Sequence, residues 1–168
     1  MAACRFFVKT IDLALQKFPN VTVRVLAGNH DNHTSYAIAY FLLAWYRNEI
    51  RVEIDADASI FWWHKFGKVM LGAAHGHTVK MKDMPQVMAV RRPEDWGQTK
   101  HRYVHGFHIH HQSKFVSEGG GVICESHQAP VAQDAWHFGE GFLSNRSMQS
   151  ITYHKEHGEV SRNRVAVY

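Results

Sequence analysis

The chain has 168 residues and a mass of 19.3 kDa, the size of one domain with a single core. Hydrophobic residues make up 45% and charged residues 20%, a composition that excludes an intrinsically disordered chain. The longest apolar stretch, residues 36–46, is too short to cross a bilayer, and no signal-peptide pattern opens the chain. Two cysteines do not make a disulfide framework, so we expect a reducing, cytoplasmic setting and no membrane.

Charge and histidine content are the features that point to partners. The net charge of +4 and the pI near 9.1 suit a polyanion such as nucleic acid, although a basic surface without a partner also explains them. The count of 14 histidines is several-fold above an ordinary content, and several of them fall in glycine-rich turns after apolar strands. That placement favours metal binding over a random scatter.

Hydrophobic periodicity predicts an α/β fold, with parallel strands first and antiparallel strands at the end. In chain order the predicted elements are a helix over 3–18, a strand over 21–26, a helix over 35–48, strands over 51–54, 59–64 and 68–73, a helix or lid-like segment over 81–90, a loop over 91–99, a strand over 103–107, a hairpin of 114–117 with 122–126, a short helix over 132–138, and a hairpin of 149–154 with 159–165.

Three of the predicted strands run into turns rich in histidine or asparagine. These turns are Gly28-Asn29-His30-Asp31, His75-Gly76-His77 and His108-Ile109-His110. In open α/β sheets, ligands gather outside the carboxyl ends of the strands, so the three turns are expected to converge on one site. Imidazole nitrogens and an amide oxygen are suitable ligands for Zn, Mn or Fe.

The three turns carry a resemblance to the calcineurin-like metallophosphoesterases. Gly28-Asn29-His30-Asp31 matches the GNH[D/E] motif, His75 with its following glycine matches the isolated ligand histidine, and His108-Ile109-His110 matches the HxH part of the terminal GHxH motif. The motifs occur in the family's order, and the resemblance covers nearly the whole chain. The closing stretch, residues 154–160, resembles phage-encoded members.

The resemblance implies a fold and a metal centre. The fold is a layered sandwich of mixed β-sheets flanked by helices, in a single domain over residues 1–168. Asn29, His75 and His108 would ligate the second of two divalent ions (Mn, Fe or Zn), and His110 would ligate the first.

The resemblance also implies phosphoester hydrolysis, by a phosphodiesterase or a nuclease. A metal-bridging hydroxide would attack phosphorus in line. His30 would assist the leaving group by protonating its oxygen, and Asp31 would orient His30 through a hydrogen bond.

Two departures from the family pattern affect these expectations. Phe107 stands where the glycine of GHxH is expected, and Gly106 lies one place earlier. The family's opening DxH and GDxx[D/N] motifs do not occur before Gly28, so the first βαβ unit is expected to be missing. The first ion would then keep only His110 among its protein ligands. The chain would hold one ion or none, and an exposed sheet edge would favour self-association.

Other interpretations of the same residues remain open. The chain could be a non-catalytic remnant or interaction module that keeps the fold without a complete metal centre. A structural zinc module is disfavoured, because no cysteine pairs with the histidines at zinc-site spacing. His77 is interpreted as a surface histidine. His105 and His127 match no motif position and are interpreted as ordinary surface or core residues.

Overall fold

The computed structural model describes residues 2–108, 113–117, 120–130 and 146–167. The chain is an α/β protein with mixed sheets and helices, as the sequence predicts. Its contacts divide it into two compact units, Met1–Trp62 and Trp63–Tyr168. In the described parts of the chain, every helix is too short or too polar to cross a membrane.

The N-terminal unit contains two helices and a pair of parallel strands. Its elements are α1 (Ala2–Leu15), β1 (Val21–Arg24), α2 (Asn32–Trp45) and β2 (Val52–Asp55). β1 and β2 pair in parallel, with Val21 opposite Val52, and α2 makes the crossover that parallel strands require. The predicted parallel strand after α1 is therefore confirmed.

The core of this unit lies between the two helices and the strand pair. Ile11, Leu42 and Tyr46 are its buried centre, and aliphatic residues of β1 and β2 pack against them. The hydroxyl of Tyr46 donates to Asp12 Oδ1 at 2.8 Å, which satisfies the polar end of an otherwise buried ring. Apolar burial on one side of each helix thus holds the unit together.

The C-terminal part of the chain is built on a five-stranded sheet with the strand order β3-β4-β5-β7-β6. The elements in chain order are β3 (Phe61–Phe66), β4 (Val69–Ala74), a 3-10 turn (Met81–Asp83), α3 (Met84–Arg91), α4 (Pro93–Gln98), β5 (His101–Gly106), β6 (Ser113–Ser117), β7 (Val122–Ser126), and a separate hairpin of β8 (Ser147–His154) and β9 (Gly158–Ala166). β4, β5 and β7 run parallel, whereas β6 pairs antiparallel with β7.

The two faces of this sheet are covered by different elements. On one face, Gly72 leaves room for Trp63 and Met88, since a Cβ at Gly72 would lie 2.5 Å from the Trp63 ring. On the other face, the ring of Tyr103 lies 4.7 Å from that of Tyr153 in the β8–β9 hairpin. We call the face that packs against Met88 of α3 the helix-covered face, and the face that contacts Tyr153 the hairpin-covered face. Because side chains alternate along a strand, successive residues of β5 point to opposite faces.

Element boundaries show where the predictions were right and wrong. The two antiparallel pairings near the C-terminus, β6 with β7 and β8 with β9, are confirmed. The loop predicted over 91–99 is wrong, because Pro93–Gln98 forms α4. The helix predicted over 132–138 lies outside the described residues.

Burial predicts which leucine of α2 stabilises the N-terminal unit. Leu42 is fully buried, whereas its neighbour Leu43 is 47% exposed. Leu42→Ala should lower the free energy of unfolding by about 2–5 kcal/mol, because it removes apolar contacts and leaves a cavity. Leu43→Ala is the matched control and should change it by less than about 1 kcal/mol. Urea denaturation followed by circular dichroism measures both, and equal losses would contradict the assigned core.

Candidate functional site

The polar turn after β1 is closed by the carboxylate of Asp31. The backbone N–H of Gly28 donates to Asp31 Oδ1 at 2.7 Å. Asp31 is also the N-cap residue directly before α2, and Ser35 N donates to its carbonyl at 2.8 Å. Asn29, His30 and Asp31 are exposed in this turn. The carboxylate therefore shapes the turn, and its predicted action on His30 stays a prediction.

An ion pair fixes the strand ends from which this turn departs. Arg24, whose side chain is 7% exposed, places Nη1 2.6 Å from Asp55 Oδ1 on the neighbouring strand. Its Nη2 donates to the carbonyl of Ser59 at 2.6 Å. Because the charge of Arg24 is paired within the unit, the carboxyl ends of β1 and β2 are held side by side.

His75 and His108, two of the predicted metal ligands, are in contact. His75 follows β4 and His108 follows β5, which are adjacent parallel strands. His108 Nδ1 lies 3.2 Å from His75 Nε2, and both residues are half-buried. The structure thus brings together two histidines that lie 33 residues apart in sequence, and their predicted role as metal ligands stays a prediction.

Backbone bonds position this histidine pair beyond the ends of the strands. The N–H groups of Phe107 and His108 both donate to the carbonyl of His75, at 3.0 and 2.7 Å. Gly76 follows with a φ of 100°, a conformation that glycine adopts without strain. His75 and His108 are therefore fixed at their backbones and not only through their rings.

The departure from the GHxH pattern has a structural explanation. A Cβ at Gly106 would lie 2.4 Å from Met81 Sδ, so a larger residue at position 106 would displace the Met81 side chain that packs against the strand. The ring of Phe107 lies on the opposite face, 5.6 Å from that of His127, and is 41% exposed. Phe107 therefore lies beside His127, while His108 contacts His75.

His77 and His110 belong to the same turns as the pair. His77 is exposed, and its ring centroid lies 5.3 Å from that of His75 and 6.2 Å from that of His108. His77 is thus a surface residue, as predicted, that also borders the pair. His110 lies outside the described residues, so its predicted ligand role stays a prediction.

The spacing of the His75 and His108 nitrogens fits joint ligation of one ion. Two nitrogen ligands at 2.0–2.1 Å from a tetrahedral metal stand roughly 3.3 Å apart. The observed 3.2 Å is close to that value, and it also suits a hydrogen bond between two neutral imidazoles. The pair can therefore hold a metal with little movement.

A second group of ligating side chains lies on the hairpin-covered face of the sheet. His105, Glu125 and His127 each offer one ligand atom, and the three atoms lie within 4.8 Å of one another. His105 Nδ1 is 2.8 Å from His127 Nε2. Glu125 is only 1% exposed and His127 is buried. A charged carboxylate and two imidazoles are thus gathered in a largely dry environment.

The β8–β9 hairpin supplies the partners of this second group. The hydroxyl of Tyr153 lies 2.9 Å from His105 Nε2. Arg162 forms an ion pair with Glu125 and a bidentate one with Glu159, at 2.9 Å for each of its two bonds. The buried charge of Glu125 is therefore compensated, as burial of a carboxylate requires.

Burial shifts the pKa values of the side chains in and around this group. Desolvation, followed by the charge of His127, lowers the pKa of His105 to about 4. Desolvation likewise lowers the pKa of His127 and raises the pKa of Tyr153 above its usual range. Both imidazoles are therefore neutral at neutral pH.

Sequence reasoning missed this second group because its members match no motif. The signal that exists is the period-two spacing of His105 with Phe107, and of Glu125 with His127, which places each pair on one face of its strand. The pairing of His105 with Glu125 depends on the register of β5 and β7, which lie far apart in sequence.

Comparisons with known proteins give no match to this chain. The sequence matches no protein-family model and no curated protein, and no solved structure matches the chain. The resemblance to calcineurin-like metallophosphoesterases therefore rests on the sequence motifs alone.

The low pKa of His105 predicts a pH-dependent stability. In the unfolded chain the ring binds a proton near pH 6.5, whereas in the folded chain it does so only near pH 4. Between these values the unfolded state binds more protons, so stability is full above about pH 6.5 and falls as the pH drops to about 4. The contribution of His105 should approach roughly 3 kcal/mol.

Urea denaturation in EDTA at a series of pH values tests this expectation. His105→Gln should flatten the slope of stability between pH 6.5 and 4, even if it lowers stability overall. His64→Gln, at an exposed position of β3, should keep the slope of the original chain. Parallel pH profiles for the original chain and His105→Gln would show that the ring is not held neutral.

Proposed function

We propose that this chain is a metal-dependent phosphoester hydrolase of the calcineurin-like layered fold, acting on phosphodiesters. The observation that carries the proposal is the contact between His75 Nε2 and His108 Nδ1 at 3.2 Å. Both residues occupy positions that resemble the family's ligand histidines, and both follow adjacent parallel strands. Crevices beyond such strand ends are the usual place of ligand binding in α/β sheets.

The surroundings of the His75–His108 pair support a role in catalysis over a purely structural one. Both residues are half-buried and His77 beside them is exposed, so a substrate can reach the pair. A divalent ion held there would polarise a phosphoryl oxygen as a Lewis acid. The net charge of +4 favours a polyanionic substrate, which is why we propose nucleic-acid phosphodiesters over small phosphomonoesters.

The roles proposed for the remaining residues follow from the resemblance to calcineurin-like metallophosphoesterases. Asn29 and His110 would complete the ligands of up to two ions, and His30 would protonate the leaving oxygen. Asp31 would act on His30 in addition to closing the turn through Gly28. The exposure of His30 is consistent with contact to a substrate.

A second candidate function is a non-catalytic module that keeps the fold. It is favoured by one observation, the 3.2 Å contact between His108 Nδ1 and His75 Nε2, which also suits a hydrogen bond between two neutral imidazoles. Such a module would bind a metal weakly or singly and hydrolyse nothing. The two candidates differ in catalysis, so activity with saturating metal separates them.

Removal of either histidine of the pair should weaken metal binding. His75→Ala and His108→Ala should each raise the Kd for Mn²⁺ by roughly 100-fold or more, because loss of even an outer contact to a ligand costs 10–100-fold. His64→Ala is the control, since it removes an exposed histidine of β3. Isothermal titration calorimetry measures the affinities, and unchanged binding in both variants would overturn the proposal.

Hydrolysis should follow the same pattern as metal binding. With saturating Mn²⁺, the chain should hydrolyse bis-p-nitrophenyl phosphate, and the two variants should lose this activity while His64→Ala keeps it. Metal binding without hydrolysis of this substrate or of single-stranded DNA would favour the non-catalytic module.

His30→Ala should separate metal binding from catalysis. The variant should bind Mn²⁺ like the original chain, yet hydrolyse an alkyl phosphodiester roughly 10²–10⁴-fold more slowly, because a general acid is lost. The loss should be smaller for p-nitrophenyl esters, whose leaving group needs no proton. His33→Ala, also exposed and three residues along, is the matched control. Equal losses for both leaving groups would argue against proton transfer by His30.

A further inference from the structure

The second histidine group lies on the hairpin-covered face of the sheet, whereas the His75–His108 pair lies beyond the ends of β4 and β5. His105 stands opposite Glu125 in the parallel register of β5 and β7, and His127 follows two residues after Glu125. Their side chains face the β8–β9 hairpin, where Tyr153 contacts His105. Gly106, between these positions and His108, faces Met81 on the helix-covered side. The group is therefore separate from the proposed catalytic pair.

The geometry of this group fits a single small cation. His105 Nδ1 and His127 Nε2 lie 2.8 Å apart, and a carboxylate oxygen of Glu125 lies within 4.8 Å of both. Around a tetrahedral zinc ion, nitrogen and oxygen ligands stand roughly 3.3 Å apart, so small side-chain movements are enough to admit the ion. Two imidazoles and one carboxylate are a ligand set that zinc adopts.

The contacts around the group fix the orientation that ligation needs. With His105 Nδ1 facing the ion, Nε2 carries the hydrogen and donates to the hydroxyl oxygen of Tyr153, 2.9 Å away. Arg162 binds Oε1 of Glu125 and so holds the carboxylate in place. Metal-bound histidines and carboxylates usually have such outer hydrogen bonds.

The charges around the group also permit a cation. Arg162 makes two bonds of 2.9 Å to the carboxylate of Glu159, so its positive charge is balanced by Glu159. Arg162 also pairs with Glu125, so two carboxylates share one guanidinium and the three groups together carry a net charge of −1. A net negative charge in a buried environment favours a cation.

We propose that His105 (through Nδ1), His127 (through Nε2) and Glu125 bind one zinc ion that stabilises the C-terminal unit under the β8–β9 hairpin. The site has a structural role, because its residues are mostly buried beneath the hairpin, in contrast to the accessible His75–His108 pair. It rests on residues that the proposed function does not use. It therefore stands or falls independently of that function.

The decisive measurement needs no substitution in the site. Long-range ¹H–¹⁵N NMR spectra of the full chain, prepared with EDTA and then given one equivalent of zinc, report which ring nitrogen binds the metal. Zinc should shift Nδ1 of His105 and Nε2 of His127. Histidine spectra in which neither ring responds to zinc would overturn the proposal, and would leave the two rings as a hydrogen-bonded neutral pair.

Variants then test the site by zinc content and affinity. His127→Ala should lose one equivalent of zinc, and Tyr153→Phe should keep the ion but raise its Kd by about 10–100-fold, because the outer bond to His105 is lost. His75→Ala with His108→Ala is the control and should retain this zinc ion. Mass spectrometry of metal content and competition with a chelator dye give the values. Retention of zinc by His127→Ala, with loss in the control, would assign the ion to the other pair.

Discussion

The parallel register of β4, β5 and β7 is the constraint on which both histidine groups depend. Ala74 stands opposite Gly106, and Gly106 stands opposite Ser126, so three strands end at the same level of the sheet. Residues that follow these positions leave the sheet side by side, however distant they are in sequence. A shift of one residue between β4 and β5 would turn alternate side chains to the wrong face and separate His75 from His108.

The same strand ends present two chemically different environments. Beyond the ends of β4 and β5, the His75–His108 pair is half-buried beside exposed His77, which keeps the rings close to water. On the hairpin-covered face, burial lowers the pKa of His105 to about 4 and stabilises its neutral form. The first group is therefore open to water, whereas the second is largely dry. The difference follows from the β8–β9 hairpin, which covers the second group.

Local patterns in the sequence predicted the elements, but not the partners that strands bring together. The polar turns after β1, β4 and β5 were recognisable because a turn and its flanking strand are contiguous. α4 was missed although Pro93 opens it and acidic residues follow, both ordinary signals of a helix start. Its end is held by Arg102, which donates to the carbonyl of Trp96 at 2.7 Å and stacks on that ring. Arg102 belongs to the next strand, β5, and not to the helix itself. The meeting of His105 with His127 likewise depends on register, which no local pattern specifies.

Four consecutive residues link the two groups. His105 contacts His127 on one face, Gly106 receives Met81 on the other, Phe107 lies against His127, and His108 contacts His75. The four residues are consecutive, and the N–H groups of Phe107 and His108 both donate to the carbonyl of His75. Any interaction that holds His105 and Phe107 therefore also orients His108. The environment of the hairpin-covered face thus helps to fix the geometry of the accessible pair, although the two share no side chain.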